Sequence, residues 1–378
     1  MGVGLLRPLA ITHTLADRYL GGIERYVLNL SESLRARGYS VSFILSSRSP
    51  VLATVRQRGF PYVAIPFKGD LDPRIAWQVA HALRRFKPDL LHIHDSPSIV
   101  PNCLGARWAG VPSVTTVHAF HTKWGFLLSE HLITVSTALR RHMLAQGFRE
   151  EQITTVRSGV DVTWFKPQDR KRARTALGLA PDTFYFAAIC RLARRKGLGL
   201  LLETIPQVLR QAPQARVLFA GTGPLEEEFQ QQAAQLGISE AVQFLGFQED
   251  VRPVLSAANC VVLPSDREGL GLVLLEAMAS ARAVIATDSG GPAELVHHEE
   301  TGLLIPPKDP DALAAAMLAA VNAPAWVDDM GERARFLAVK DYSLERQVDG
   351  VEVVYHRRLA PDWKTQHDWQ PRHLSDAG

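Results

Sequence analysis

The chain of 378 residues lacks an apolar run long enough to cross a membrane, which takes about 20 consecutive apolar residues. Its N-terminus, MGVGLLRPLAITHT, lacks the apolar segment and the small-residue cleavage site of a secretory signal. Cysteine is scarce: Cys103, Cys190 and Cys260 are odd in number and widely separated. We therefore expect reduced thiols in a cytoplasmic protein rather than a disulfide scaffold or an integral membrane protein.

Low-complexity tracts and short repeats are also missing, and the length exceeds what one ordinary core holds, which indicates two domains. Short runs rich in β-branched and aromatic residues alternate with amphipathic segments along most of the chain. This alternation is typical of parallel sheets covered by helices on both faces. The predicted fold class is therefore α/β, with two Rossmann-like halves and, as the default ligand site, a cleft between them.

Four segments follow from the pattern. We expect an N-terminal domain over residues 1–165 and a second domain over 166–345, whose opening stretch 166–181 is charged, lies between prolines and is interpreted as a linker with a short helix. A C-terminal helix over 346–360 is expected to pack back on the N-terminal domain. The polar tail 361–378 is expected to be disordered.

Charge is small overall but unevenly distributed. Residues 1–165 carry 19 Lys+Arg against 11 Asp+Glu, about +8, and residues 166–378 carry 23 against 28, about −5. A basic N-terminal half suggests an anionic partner such as a phosphorylated acceptor, a lipid surface or nucleic acid, whereas a solvated basic face with no partner is the simpler alternative. Trp108, Trp124 and Phe126 are candidates for an apolar acceptor or membrane-facing surface, although a tryptophan near a helix end, such as Trp108, is more often core.

In the second half, cationic, acidic and glycine residues follow predicted strand ends. They are Arg191 and Lys196 after strand 184–190, Gly221 after strand 215–221, and Glu268, Gly269 and Gly271 after strand 259–264. Because the carboxyl ends of parallel strands meet at one edge of a sheet, we expect these groups to converge there.

The stretch PSDREGLGLVLLEAMA (264–279) combines a loop glutamate, a glycine-flanked helix start and a second glutamate inside the helix. Unpaired backbone N–H groups at the helix start form an anion site, and two nearby cations would suit a diphosphate. Glu276 can accept hydrogen bonds from a diol such as a ribose, and Glu268 can hold sugar hydroxyls. A plain surface charge at Glu276 is disfavoured by its apolar surroundings, where an unpaired carboxylate is costly.

This stretch resembles the glutamate–seven–glutamate motif of retaining glycosyltransferase family 4, whose GT-B fold has two facing Rossmann-like domains. The resemblance extends through GGIERYVLNLSESLRARGYSV, RSGVDVTWFKP, CRLARRKG, AGTGPLEEE, GGPAELV and TGLLIPPKDPDALA, in the family's order. Ser158 stands where asparagine is usual, and Leu270 where phenylalanine is common.

The resemblance implies residue roles. His118, Glu268, Arg191 and Lys196 would form the catalytic set, with His118 contacting the sugar near its reacting carbon. The donor would be bound by Gly22, Arg191, Lys196, Gly221, Glu268, Gly269, Leu270, Gly271, Leu272 and Glu276. Arg191 and Lys196 would hold the pyrophosphate.

The resemblance also implies same-face substitution, in which the leaving phosphate takes the acceptor's proton and the anomeric configuration is retained. No metal and no cofactor are expected, and no DxD-like motif lies beside the phosphate site. A retaining glycosidase would require two carboxylates flanking the scissile bond, whereas Glu268 and Glu276 are expected to serve the donor.

Histidines mark the N-terminal strand ends. His92 and His94 share one face of a predicted strand, with His118 and His121 at a nearby strand end, so a zinc site is one alternative. Histidines in apolar strands are more often core groups, and the family implies no metal. The acceptor-side candidates are His94, Asp95, His121 and Lys123. The segment 119–130 is shorter than the family's usual acceptor-facing segment.

The expected function is transfer of a sugar from a nucleoside-diphosphate sugar to a glycan, lipid-linked or small-molecule acceptor, in envelope or polysaccharide synthesis. The alternative is a catalytically silent sugar-nucleotide or glycan-binding subunit. A nucleotide-sugar epimerase is less favoured, and so is a nicotinamide-dependent oxidoreductase, because no G-x-G-x-x-G follows the first strand. We expect a cytoplasmic protein with no nucleic-acid partner. Peripheral membrane contact through its basic domain is one alternative, and a solvated basic face is the other.

Overall fold

The computed structural model describes residues 9–16, 21–67, 72–94 and 98–360. These residues divide into two compact units, one formed by the chain up to Ser158 together with the chain from Leu344 onward, the other by Gly159–Ser343. Each unit is built on its own sheet, in which all the paired strands are parallel.

The first unit has a seven-stranded sheet in the order β3-β2-β1-β4-β5-β6-β7. Its strands are β1 (Ala10–Leu15), β2 (Ser40–Ser46), β3 (Tyr62–Ile65), β4 (Leu90–Ile93), β5 (Ser113–Val117), β6 (Leu132–Thr134) and β7 (Ile153–Thr155). Its helices are α1 (Gly22–Ala36), α2 (Leu52–Gln57), α3 (Pro73–Phe86), α4 (Ile99–Ala109), α5 (Thr137–Ala145) and the C-terminal α14 (Leu344–Leu359). The strand order reverses at β1, so β1 and β4 are neighbours at a switch point where open α/β sheets bind ligands.

Helix α14 packs within this unit through polar contacts. The Arg37 guanidinium donates to the Asp349 carboxylate at 2.7 Å and also contacts Glu352. Deeper in, the Tyr355 hydroxyl lies 2.6 Å from Nδ1 of His92 on β4, and the Tyr355 side chain is fully buried. The last helix therefore contributes to the core under β1 and β4.

The second unit has a six-stranded sheet in the order β10-β9-β8-β11-β12-β13. Its strands are β8 (Phe184–Ile189), β9 (Ala215–Ala220), β10 (Val242–Gly246), β11 (Cys260–Leu263), β12 (Ala283–Thr287) and β13 (Gly302–Ile305). Its helices are α6 (Arg170–Ala176), α7 (Leu198–Gln211), α8 (Glu226–Gln235), α9 (Arg252–Ala257), α10 (Leu272–Ala279), α11 (Pro292–Leu295), α12 (Pro310–Asn322) and α13 (Pro324–Asp341). Here the order reverses at β8, which places β8 beside β11.

The stretch 166–181 is not a linker, which corrects the interpretation from its charge and prolines. Arg174 in α6 is buried, and its guanidinium donates to the Ala257 carbonyl at 3.0 Å and to Oδ1 of Asn259 at 2.6 Å. Because these acceptors compensate the buried cation, α6 packs into the second unit. That unit begins at Gly159 rather than at residue 166.

No helix among the described residues is both long enough and apolar enough to cross a membrane.

Candidate active site

Lys196 and Glu268 form the central contact at the switch point of the second sheet. Lys196 ends a short 3-10 helix (Arg194–Lys196) that follows β8, and Glu268 lies in the loop that follows β11. The Lys196 Nζ is 2.5 Å from a Glu268 carboxylate oxygen, and both side chains are less than one-fifth exposed. Ser265 donates its hydroxyl to the same oxygen at 3.2 Å. Strand ends 72 residues apart thus supply a cation and a carboxylate to one place.

The chain can bring these loops together because Gly197 follows the lysine. Gly197 has φ of +69°, and a Cβ atom there would lie 1.8 Å from the Pro264 carbonyl oxygen. A side chain would therefore clash with backbone and require a strained left-handed conformation. Glycine lets the loop after β8 rest directly on the loop after β11.

A third loop, after β12, holds Glu268 by its backbone. The Glu268 N–H donates to the Ser289 carbonyl at 3.0 Å, and the Gly291 N–H donates to the Glu268 carbonyl at 2.9 Å. The Thr287 hydroxyl donates to the Ser265 carbonyl at 2.5 Å. Sequence reasoning assigned no site residue to this loop, although its glycine pair after a strand end is the kind of signal that marks one.

Helix α10 begins beside the pair, with Gly271 at its N-cap and Leu272 as its first residue. No side chain caps this end. The Leu274 N–H donates to the Gly271 carbonyl at 2.9 Å, whereas the two N–H groups before it, at the start of the helix, favour an anion. Leu270 is buried, and Glu276 is half-buried in the second turn. The helix thus offers an anion site at its start and a carboxylate one turn further on.

Arg191 is exposed just past the end of β8, separated from it only by Cys190. Gly221 lies close to this segment: its φ is +138°, and a Cβ atom would lie 2.1 Å from the Cys190 carbonyl oxygen. Burial raises the pKa of the Cys190 thiol to about 12, so this partly buried cysteine stays protonated at neutral pH. None of the three cysteines forms a disulfide.

Histidines gather at the switch point of the first sheet. His13 on β1 pairs in register with His92 on β4, and His94 follows β4 on the same face. His94 Nε2 lies 2.9 Å from His13 Nδ1, and His94 Nδ1 lies 3.5 Å from Nε2 of His118, which follows β5. The edge of the Tyr26 ring packs on His118, with centroids 4.8 Å apart.

Burial keeps these imidazoles neutral. Desolvation lowers the pKa of His13 and of His118 to about 3, although His118 keeps some exposure. Burial and the neighbouring histidines lower the pKa of His92 and of His94 well below the ordinary 6.5. A neutral His118 can donate or accept a hydrogen bond at neutral pH, but it is not a charged acid.

Three histidines lie close enough together to bind a metal ion, but they are not the set that the sequence indicated. Among the described residues, ring nitrogens of His13, His92 and His94 lie within 4.8 Å of one another, whereas His118 and His121 are not part of the group. Both nitrogens of His92 are already engaged at 2.6 Å, with the Tyr355 and Thr116 hydroxyls. The three rings are fully buried with no carboxylate in the group, which suits a hydrogen-bonded core better than a dication.

The remaining acceptor-side candidates are spread out. The His121 carbonyl accepts hydrogen bonds from Gln146 at 2.9 Å and His142 at 2.8 Å, and Lys123 lies in the 3-10 helix Lys123–Phe126 with its ammonium 5.5 Å from the Trp124 ring centroid. Asp95 lies outside the described residues.

Gly22 is the first residue of α1, whose N-cap Gly21 donates its N–H to the Glu24 carboxylate at 2.8 Å. Trp108 is 48% exposed and Trp124 70% exposed, so Trp108 is not core. Phe126 is buried and is removed from the candidate surface, because its ring packs inward near His121.

The sequence matches two family profiles, one after the other. Residues 20–164 match Glycosyltransferase Family 4, and residues 169–336 match Glycosyl transferases group 1. A D-inositol 3-phosphate glycosyltransferase from Rhodococcus erythropolis is 30% identical, with 93% of this chain and 90% of that protein covered. Glycogen synthase of Mycobacterium tuberculosis is 26% identical, with 93% and 94% covered.

Solved structures show the same fold. A glycosyltransferase from Rickettsia africae has a TM-score of 0.84 at 17% identity, covering 94% of this chain and all of that chain. HepE from Anabaena, solved in complex with UDP-glucose, has a TM-score of 0.83 at 22% identity, covering 92% of this chain and all of that chain. The two helix-flanked parallel sheets thus have the α/β architecture of GT-B glycosyltransferases. From the matched profiles and relatives, the chain belongs to the glycosyltransferases of family 4 and group 1 and is an enzyme of that class.

Proposed function

We propose that this enzyme transfers a sugar from a nucleoside-diphosphate sugar, without a metal ion and with retention of the anomeric configuration. The acceptor would be a glycan, a lipid-linked or a small hydroxyl compound in envelope or polysaccharide synthesis. The observation that carries the proposal is the Lys196–Glu268 pair at 2.5 Å beside the uncapped start of α10. The HepE neighbour with UDP-glucose and the inositol-phosphate relative support a nucleotide-sugar donor.

The chemistry follows from where charge develops. When the anomeric C–O bond breaks, positive charge appears on the sugar and negative charge on the leaving diphosphate. Lys196, Arg191 and the N–H groups at the start of α10 would stabilise the diphosphate, and each group aimed at developing charge contributes about 3 kcal/mol. These protein groups would supply the positive charge that a metal ion supplies in other transferases.

The carboxylates would orient the donor. Glu268, held by Lys196, Ser265 and the loop after β12, would accept hydrogen bonds from the hydroxyls of the transferred sugar. Glu276 would accept hydrogen bonds from the ribose. In the first unit, His118 would contact the sugar as a neutral hydrogen-bonding group. The acceptor hydroxyl would attack on the face that the diphosphate leaves, and its proton would pass to the leaving phosphate oxygen.

Membrane contact is a further part of the proposal. Trp77, Trp108 and Trp124 in the first unit are each about half to two-thirds exposed, and Arg84 donates to the Trp108 carbonyl at 2.6 Å. Aromatic side chains near arginines favour an anionic membrane surface. Sedimentation with vesicles containing phosphatidylglycerol, compared with phosphatidylcholine vesicles, tests this, and binding to neither would refute it.

The donor assignment is tested by thermal shift with UDP, GDP, ADP and their sugar conjugates in the presence of EDTA, since a ligand of the native state raises the melting temperature. A shift with one nucleoside diphosphate and its conjugates supports the site. The enzyme is then incubated with the matching nucleotide sugar and a pool of acceptors from a lysate. Release of the nucleoside diphosphate tests transfer, and NMR of the product anomer tests retention. Binding without release would favour the silent binding subunit, and an inverted product would refute retention.

A further inference from the structure

The buried imidazoles of the first unit form a hydrogen-bonded series that ends at His118. Strand register places His13 beside His92, and the alternation of β4 puts His94 on the same face. Three ring-to-ring steps are short: 5.1 Å between the centroids of His13 and His94, 3.9 Å between His92 and His94, and 5.7 Å between His94 and His118. His13, His92 and His94 are at most 1% exposed. Because these three rings are buried, their ring nitrogens must find hydrogen-bond partners among the surrounding protein groups.

The inner end of the series sets the direction of its hydrogen bonds. Nε2 of His13 is buried and has no hydrogen-bond partner among the residues that the structure describes. A buried orphan N–H is rarer than a buried orphan acceptor. His13 therefore carries its proton on Nδ1, which donates to Nε2 of His94 at 2.9 Å.

The same direction of donation continues from His94 to His118. Since Nε2 of His94 accepts and the ring is neutral, the His94 proton lies on Nδ1, which faces Nε2 of His118 at 3.5 Å. That contact is long, as catalytic hydrogen bonds often are before substrate binds. With Nε2 as the acceptor, a neutral His118 carries its proton on Nδ1.

We propose that His94 is a positioning residue that holds His118 in the Nδ1–H form and presents this N–H as a hydrogen-bond donor to an oxygen of the transferred sugar. His13 sets the direction of the series. The two nitrogens of His92 are held by the Thr116 and Tyr355 hydroxyls, so the His92 ring is fixed in place. The fixed His92 ring packs beside the His94 ring and limits its movement. The role toward the sugar rests on the proposed function, whereas the tautomer does not.

The experiment uses the full chain labelled with 15N-histidine, and long-range 1H–15N spectra that report which ring nitrogen carries the proton. Signals are assigned by replacing one histidine at a time. In the wild type we expect neutral rings with the proton on Nδ1 for His13, His94 and His118. A proton on Nε2 of His118 would overturn the proposal, and so would one equivalent of Zn²⁺ that moves the His13, His92 and His94 signals together.

Two substitutions separate positioning from packing. The amide of His94→Asn can replace the Nδ1 donor, whereas His94→Leu cannot. We expect His94→Leu to release the His118 tautomer and to lower kcat by about 10- to 100-fold with the donor KM little changed, and His94→Asn to restore most of both. His131→Leu is the matched control, because His131 is also buried and bonds Thr154 at 2.9 Å outside the series.

The outcomes distinguish the two proposals. An unchanged His118 tautomer in His94→Leu, or equal losses in the leucine and asparagine variants, would overturn the positioning role. If the tautomers are as expected but no nucleotide sugar is ever consumed, the proposed function fails and the directed hydrogen-bond series stands. If His94→Leu does not fold, the wild-type spectrum still decides the tautomer, and a proton on Nε2 of His118 in that spectrum would overturn the proposal.

Discussion

Replacing Lys196 by glutamine tests whether the contact at the second switch point serves catalysis. The substitution removes the ammonium that lies 2.5 Å from Glu268 and keeps a side chain of similar length. Arg195→Gln is the matched control, because Arg195 precedes Lys196 in the same 3-10 helix and is exposed. Both variants lose one positive charge, so their difference reports the position of that charge.

The magnitude follows from the two roles of the lysine. A group aimed at charge that develops on a leaving diphosphate contributes about 10²- to 10³-fold to kcat, or about 3 to 4 kcal/mol. Without Lys196 the Glu268 carboxylate keeps only the Ser265 hydroxyl among its side-chain partners given by the structure. The pair is less than one-fifth exposed. We therefore expect its removal to lower the free energy of unfolding by about 2 kcal/mol, a value between those for surface and for buried ion pairs.

Release of the nucleoside diphosphate under saturating donor measures kcat, and urea denaturation measures the free energy of unfolding. We expect Lys196→Gln to lose about 10²-fold or more in kcat while Arg195→Gln stays within a few-fold of wild type. Glu268→Gln and the double variant complete a cycle, and residues that act as a unit should give a double loss far smaller than the product of the single losses. Equal rates for the Lys196 and Arg195 variants, or fully independent losses, would refute the reasoning.

Three further outcomes are expected. Gly197→Ala should lower turnover and the urea midpoint far more than Gly178→Ala. Both glycines have a positive φ, but only a Cβ atom at Gly197 would meet backbone, at 1.8 Å. Equal effects of the two substitutions would contradict the close approach of the two loops. Glu276→Gln should raise the Kd for the donor by about tenfold, because one charged hydrogen bond is lost, and should leave the melting temperature of the ligand-free protein little changed. Calorimetric titration with the diphosphate measures the Kd. An unchanged Kd would remove Glu276 from the donor site. Burial lowers the pKa of His13 and of His118 to about 3, below the 6.5 of an unfolded histidine, so protonation favours the unfolded state. The stability that these neutral histidines contribute is therefore fully present above pH 6.5. It falls as the pH drops toward 3, by about 1.4 kcal/mol per pH unit for each histidine. Urea midpoints at pH 7 and pH 5 followed by circular dichroism check this, and equal midpoints would contradict it.

Local features of the sequence were sufficient for much of the secondary structure and for the motif around Glu268. The strands at 184–190 and 215–221 were expected within one residue of their ends at Phe184–Ile189 and Ala215–Ala220, because an apolar β-rich run is a local signal. Helix α13 was not anticipated, since its mixed polar and apolar pattern resembles exposed chain. The site-residue roles remain predictions, to be decided by the substitutions above.

The sequence by itself determined which residues end strands, where glycines permit close backbone approach, and where a helix begins beside a carboxylate, because these depend on neighbours only a few positions away. The tertiary structure decided which strands are adjacent. Pairing of β8 with β11 set Lys196 on Glu268, and pairing of β1 with β4 set His13 beside His92. It also buried Arg174, which lies in a stretch that was interpreted as a linker from its charge and prolines, because the acceptors that compensate this arginine come from residues 257 and 259. Such contacts depend on long-range packing of sheet and helix, which no local period of the sequence encodes.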